Sequence, residues 1–337
     1  MTALKTRPPT GAVPWPLILV EGGEKSGKSW AAAVLSSSDK VGRTLWIDWG
    51  EGAADEYGAI PGARYEVIEH DGTWASIIGQ VEAARDVAQQ AVDKGEKPVV
   101  LVLDSLTAEW DQLKDWVDEK ARRRDVNRKK LERDPDAEIQ VTADLWNLAT
   151  SRHKDLMRIL MRFPGIVVMT ARGADQVAIE NGKPTSSRVW KVVGQKDLAF
   201  DASVWVRLSR TESPLIVGAR SVHAGIVPGE DKPKRIPDLT LEQLVFDILK
   251  CDPATAHVRE LSSVQDRVAD MLAAVAAAAD RDVLTGLWRE AKAAELLNVG
   301  AVDGPTVRDA ITARVAALDE KSSEDSAVDD AQERAAS

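Results

Sequence analysis

Eight consecutive residues, Gly22-Gly23-Glu24-Lys25-Ser26-Gly27-Lys28-Ser29, restrict this chain more than any other feature. An apolar run, Trp15–Val20 (WPLILV), leads into them, and SWAAAVLSS follows with the composition of a helix. The spacing is G-x-x-x-x-G-K-S. Glycines let the backbone curl until its N–H groups face a common point, and the following helix turns its positive end to the same place. A strand, an anion-cradling turn and a helix in that order require an α/β unit.

The anion expected here is the phosphate chain of ATP. In this arrangement Lys28 reaches the terminal phosphates and the Ser29 hydroxyl binds Mg²⁺. Gly22, Gly23, Glu24, Lys25, Ser26, Gly27, Lys28, Ser29 and Trp30 are the expected nucleotide contacts. A second apolar run, Pro98–Leu103 (PVVLVL), ends in Asp104, placed to share the Mg²⁺ with Ser29. Hydrolysis also needs a group that orients water. The segment TLWIDWGEG offers Asp48 and Glu51 at a strand end, where ligands bind in such folds; Glu51 is preferred, with Asp48 as the alternative.

Alternating signals continue along the chain. Strands are expected at Thr44–Asp48, near Tyr65–Ile68, at Ile166–Thr170, Ala202–Leu208 and Leu215–Ala219. Helices are expected at Trp74–Lys94, through a charged stretch Leu106–Arg133, and at about Ala143–Arg162. Continuous apolar strands of this kind suit a mainly parallel sheet covered on both faces. Residues 171–187 show no period and read as a long loop. Beyond residue 250 the strand signals stop, and ADMLAAVAAAAD, VLTGLWREAKAAELL and TVRDAITARVAAL read as three amphipathic helices. The expected division is a disordered 1–14, an ATPase core over 15–250, a helical domain over 258–318 and a disordered acidic tail over 319–337.

Four of these segments resemble the RecA-like recombinase ATPases. GGEKSGKS carries Glu at the third position, as the RecA form of the loop does. WIDWGEGAADEYG is similar to the RecA strand that precedes the catalytic glutamate, with one inserted residue. VVLVLDSLTA resembles the second nucleotide strand, including the serine after Asp104. GQKDLAFDASVWVRLSR resembles the segment closing the second DNA-binding loop. The match runs over roughly 15–220. LWNLATSRHKDLMRIL and FPGIVVMTARG have the look of the phage single-strand annealing ATPases of the Sak group. The resemblance implies a RecA-like P-loop NTPase core, ATP hydrolysis, single-stranded DNA as partner, self-assembly into a ring or filament, and work beside a single-strand-binding protein. It also implies a γ-phosphate sensor after IVVMT, where RecA has glutamine. Here Arg172 stands closest and Gln176 follows. The lysines that reach a neighbour's ATP have no clean match; Lys232, Lys234 and Arg235 are the stand-ins.

Charge gives a second line on DNA. The net charge is −10, but the tail holds seven acids against Lys321 and Arg334, half of that total. The densest cationic run lies in 119–134, with Arg122, Arg123, Arg124, Arg128, Lys129 and Lys130. Clustered cations bind a phosphate backbone by releasing its counterions; the same run equally fits a solvated helix face laced with i,i+4 pairs. Lys183, Arg188 and Lys191, near Trp190, would suit single strands whose bases stack on a ring. The acidic tail is expected to compete with DNA for these cations.

Other classes lose ground. One cysteine excludes an internal disulfide, and four scattered histidines give no metal spacing, so no zinc site is expected. No apolar run approaches a membrane span and the N-terminus lacks a signal-peptide core, so a cytoplasmic protein without membrane partners is expected, in the bacterial host cytoplasm if phage-encoded. Three activities remain: a DNA recombinase or annealing ATPase, a hexameric helicase motor, and an ATP-switched adaptor or loader.

Overall fold

The computed structural model describes residues 11–50, 52–180, 183–226, 232–256, 264–294, 296–300 and 304–319. The chain falls into two compact units, Met1–Arg259 and Glu260–Ser337.

The first unit is built on a nine-stranded sheet in the order β3-β2-β4-β5-β1-β7-β8-β9, with β6 added to β5. The six strands from β3 (Tyr65–Val67) through β2 (Thr44–Asp48), β4 (Val100–Asp104), β5 (Ile166–Glu180) and β1 (Leu17–Gly22) to β7 (Val204–Leu208) are parallel. β8 (Leu215–Ala219) and β9 (Lys234–Arg235) close one edge in antiparallel fashion. This is the mainly parallel α/β sheet that the apolar runs require.

Alternation along the strands explains how both faces are buried. Ile18, Val20, Trp46, Val100, Val102 and Val168 face one side, with Ala32, Ala33 and Leu35 of helix α1 (Lys28–Ser36) and, later in the chain, Leu241, Leu244 and Val245. Leu17, Leu19, Leu45, Ile47, Leu101, Leu103 and Met169 face the other. That side is covered by α3 (Trp74–Asp93) through Ile77, Val81, Ala84 and Ala88, and by α6 (Ala143–Met161) through Leu156, Met157 and Leu160. A helix lying on each face leaves no polar face on the central strands, hence their unbroken apolar sequence. A short helix α2 (Ala53–Tyr57) follows β2. Cys251 is buried, and burial pushes its thiol up to about 12, out of the reactive range.

Two expectations are corrected. The charged stretch 106–133 is two helices, α4 (Leu106–Arg122) and α5 (Asp125–Arg133). Asn127 is buried at their joint: its amide donates to the carbonyls of Ala121 and Gln140, each at 2.8 Å, and accepts from the Gln140 amide at 3.0 Å. The expected loop 171–187 is instead a hairpin. β5 runs on past the sheet to Glu180 and pairs antiparallel with β6 (Lys183–Val193), with a register shift between Val177 and Ile179. Beyond Gly173 the side chains of β5 from Asp175 to Val177 are exposed, so no burial imposes an apolar alternation and main-chain pairing alone defines the strands.

The second unit has its own core. Val268, Met271 and Val275 of α8 (Val264–Ala277), Leu284 and Ala291 of α9 (Arg281–Ala293), and Val307 and Ile311 of a helix over 307–319 pack together. The Asp280 side chain caps α9 by accepting from the Val283 amide at 2.9 Å.

Removing the Asn127 side chain orphans backbone groups that join α4, α5 and the strand of chain before α6. Asn127→Ala is expected to lower unfolding free energy by about 1–3 kcal/mol, read as a fall in the urea midpoint at unchanged slope.

Candidate functional site

The parallel strands deliver their functional residues to one place, the carboxyl edge of the sheet. β1 ends at Gly22 and turns directly into the glycine-rich loop. Gly22 has no room for a side chain: a Cβ there would lie 2.3 Å from the Leu208 carbonyl and 2.4 Å from Ser26 Oγ. Gly27 holds φ +92°, the left-handed conformation that glycine tolerates, and it opens α1 with no side-chain cap. The first-turn amides of α1 therefore have no side-chain acceptor at Gly27, and a Cβ at Gly27 would meet nothing within 4 Å.

Lys28 folds back over its own loop, its ammonium donating to the carbonyl of Gly23 at 3.0 Å and of Gly22 at 3.3 Å. Ser26 Oγ is buried and, among the described residues, has no hydrogen-bond partner. An orphaned hydroxyl inside a glycine cradle, beside an uncapped helix start and a lysine, is the chemistry that an oxyanion satisfies. The loop thus fits nucleotide phosphates. Glu24 and Lys25 are exposed on its outer turn, Lys25 with φ 53°, and Trp30 stands half-exposed with its ring edge-on to Tyr57 at 5.7 Å.

Asp104 ends β4 and is buried, opposite Asp48 in the β2–β4 register. The Thr170 hydroxyl on β5 donates to its Oδ1, and the Trp49 amide donates to its backbone carbonyl at 2.8 Å. Ser29 and Asp104 are the hydroxyl and carboxylate suited to a Mg²⁺ ion.

Asp48, the alternative carboxylate, lies at the end of β2. Its two oxygens accept from the amides of Gly50 at 2.9 Å and Gly52 at 3.0 Å. It thereby organises the turn on either side of position 51. Glu51 itself lies outside the described residues. Arg172 sits on β5 beside Gly22, in register with the first glycine of the loop, and its backbone amide donates to Thr107 Oγ1 at 2.8 Å. Gln176 is further out on the hairpin and exposed. Lys234 and Arg235 form the edge strand β9, Arg235 bridged to Glu212 at 2.6 Å, with Lys232 exposed just before them.

The cationic run 119–134 is placed on exposed helix faces, but four of its arginines are engaged. Arg122 pairs with Asp118 and Arg123 with Glu119, both at i,i+4, and Arg128 pairs with Asp125. Arg124 bonds Asp144 and holds that carboxyl down to about 2. Lys129 and Lys130 are exposed. Lys183, Arg188 and Lys191 all fall on β6, with Arg188 and Lys191 exposed.

A second feature was not singled out from sequence. A cleft of about 750 Å³ opens between α4 and the base of the hairpin. Trp110, Trp190, Trp205 and Phe200 supply rings; Lys114, Lys191 and Lys196 supply cations. Phe200, on the short helix α7 (Leu198–Asp201), is 81% exposed, an unusual position for a large apolar ring. Behind the cleft, Trp110 stands edge-on to His153 at 5.9 Å, and His153 Nδ1 is 3.0 Å from Glu109 Oε2. Burial pushes the Glu109 carboxyl above the usual range, against the opposing pull of His153. The cleft residues come from three distant stretches of chain, and only their meeting in space marks them.

No protein-family model matches the chain, and no curated protein matches it. Among solved structures, the chain is similar to a prototypical ATPase from the type III secretion system of pathogenic bacteria, at 14% identity and TM-score 0.37 over 91% of this chain and 83% of that one. It is similar to the RadB recombinase, at 15% identity and TM-score 0.32 over 62% of this chain and 83% of that one. It is also similar to the assembled ATPase EscN from the type III secretion system of enteropathogenic E. coli, at 14% identity and TM-score 0.33 over 89% of this chain. The chain spans 60% of EscN, under two thirds of its length. Likenesses this distant leave the fold to be stated from the molecule itself. The molecule itself shows a mainly parallel α/β sheet, with β5 between the strand that enters the glycine-rich loop and the Asp104 strand, flanked by helices on both faces.

Thr170→Val keeps the shape of the side chain and removes the donor to the buried Asp104 carboxylate. A stability loss of about 1–3 kcal/mol is expected. A variant that melts with the wild type in a thermal scan would show that Asp104 does not depend on that bond.

Proposed function

We propose that this protein is an Mg²⁺-dependent ATPase of the RecA-like class that binds single-stranded DNA and uses ATP to control its assembly there, in recombination or strand annealing. The observation that carries the reading is the P-loop: a buried, unpartnered Ser26 hydroxyl and an uncapped helix start, spanned by Lys28. Lys28 would neutralise charge on the terminal phosphate, and Arg172, beside Gly22, would sense it. Ser29 and Asp104 would hold Mg²⁺, which when bound neutralises phosphate charge. Glu51 would orient the water. The water oxygen attacks the γ-phosphorus, the bond to the β–γ bridging oxygen breaks, and the carboxylate takes the proton.

The DNA part rests on the cleft. Four rings beside three lysines match the needs of a single strand: stacking surfaces for bases and cations for phosphates. That combination favours the hairpin side, with Lys191 and its neighbours Lys183 and Arg188, over the run 119–134, four of whose arginines are bound to carboxylates. Assembly of several copies on the strand, the kinship with phage Sak-group annealing ATPases and a single-strand-binding partner follow from the sequence resemblance.

ATP turnover measured with and without a dT oligonucleotide tests both halves. Turnover is expected to rise with the oligonucleotide and to fall roughly 100-fold or more in Lys28→Ala. Turnover lost in Lys28→Ala yet indifferent to DNA, with no oligonucleotide bound at low salt, would remove the recombinase reading and leave an ATP-switched adaptor.

If the cleft lysines engage phosphates, replacing Lys191 and Lys196 with Ala should flatten the salt dependence of oligonucleotide binding. The slope of log affinity against log salt would drop by about 0.7 for each phosphate no longer neutralised. An unchanged slope would place the strand elsewhere.

A further inference from the structure

Glu21 is the residue before the first glycine of the P-loop, and it is fully buried. Its carboxylate is closed by three donors. Trp190 Nε1 donates to Oε2 at 2.8 Å, Trp205 Nε1 to Oε1 at 3.2 Å, and Arg207 Nε to Oε1 at 2.5 Å. The Arg207 guanidinium lies over both indoles, 5.0 Å from the Trp190 ring centre and 5.8 Å from that of Trp205. A buried carboxylate is tolerated only when paired and hydrogen-bonded, and here one cation and two indoles do both.

The origin of these donors matters. Arg207 and Trp205 belong to β7, which pairs with β1 so that Arg207 stands directly opposite Glu21. They are fixed by the sheet. Trp190 belongs to β6, the outer strand of the hairpin. It reaches Glu21 across Gly173 of β5, where any Cβ would come within 2.1 Å of Glu21 Oε2 and 2.5 Å of Trp190 Cζ2. The far edge of the same indole lies against the loop: Trp190 Cη2 is 3.8 Å from where a Cβ would stand on Gly23. Its body lines the cleft beside Trp205. One side chain therefore hydrogen-bonds the residue before the P-loop, fills the space beside the second residue of the P-loop, and lines the wall of the cleft.

We infer that Trp190 and Glu21 are positioning residues that tie the β5–β6 hairpin to the P-loop, so that nucleotide in the loop and the conformation of the hairpin are coupled. This rests on the nucleotide reading above. Any movement of Gly23 on binding phosphate presses on Trp190. Displacing Trp190 leaves Glu21 Oε2 buried and unbonded, a cost that makes the contact either made or broken rather than graded. Whatever occupies the cleft acts on the same indole from its other side, and coupling of this kind is reciprocal.

The test uses the full chain, Mg²⁺–ADP as probe, and two variants. Trp190→Phe keeps a ring and deletes the N–H. Glu21→Gln keeps the volume and one acceptor and removes the charge. ADP affinity is measured by calorimetry, and hairpin amide exchange is followed by mass spectrometry with and without saturating ADP. In the wild type, ADP should change exchange of the hairpin amides by about tenfold, within the usual range of allosteric coupling. In Trp190→Phe that response should collapse towards onefold at saturating ADP, whereas simple destabilisation would raise exchange with and without ADP alike and leave the ratio in place. Glu21→Gln, if folded by circular dichroism, should weaken the response in the same direction.

A wild-type hairpin indifferent to bound ADP would overturn the inference, as would a Trp190→Phe hairpin that responds as the wild type does. A wild-type chain that binds no ADP would overturn the nucleotide reading itself and the inference with it, and calorimetry distinguishes that case directly.

Discussion

Strand β1 lies between β5 and β7, with apolar clusters packed against both faces, so all six of its residues are buried, Glu21 included. That enclosure sets the terms for everything at the site. A chain leaving such a strand cannot broaden until it clears its neighbours, and Gly22 is still so confined that a side chain there would strike the Leu208 carbonyl. The chain reaches open space at Glu24 and Lys25, and the backbone then turns back through Gly27 into α1. The glycine-rich loop is thus what a central, doubly covered strand needs in order to become a helix. Its anion-binding geometry is a consequence of the same packing.

The same enclosure governs the buried charges. Glu21, Asp104 and Glu109 are each almost completely removed from water, and each is met by named donors: two indoles and Arg207, the Thr170 hydroxyl, and His153. The pairings differ in strength. Glu21 has a cation directly opposite it in the sheet, whereas Glu109 has a histidine too weakly stabilising to offset burial, so that its carboxyl is pushed up. Asp104, at the strand end nearest the loop edge of the sheet, accepts from the neutral Thr170 hydroxyl, whereas Glu21 faces the Arg207 guanidinium.

What the sequence made legible follows from what imposes a pattern on it. β2, α3, β4 and α6 are covered on one or both faces, and their burial writes itself into apolar runs or helical spacing that can be read directly. The P-loop was legible because its glycines are needed where they stand. The hairpin was not, since the exposed β5 residues beyond Gly173 are held by main-chain pairing that leaves no apolar rhythm. The break between α4 and α5 was hidden because a buried asparagine does the work of a turn, and Asn127 sits in a run of charged residues that otherwise read as one helix. Glu21, Trp205 and Arg207 were passed over because their meaning lies in cross-strand register, which no local window contains.

The two cationic surfaces differ for a related reason. Density along the chain made 119–134 conspicuous, yet a helix places residues four apart side by side, and the acids interspersed there fall within reach of the arginines. Four of the eight cations in that run are paired with nearby carboxylates. Lys114 is far in sequence from Lys191 and Lys196, but the fold gathers all three around rings on one cleft. A nucleic-acid strand responds to the potential in space and to surfaces on which bases can stack, which is the ground on which the proposed strand site rests. The cleft also abuts Trp190, and Trp190 abuts the P-loop. In this fold, then, the place where a strand would bind and the place where nucleotide would bind are separated by the thickness of one indole.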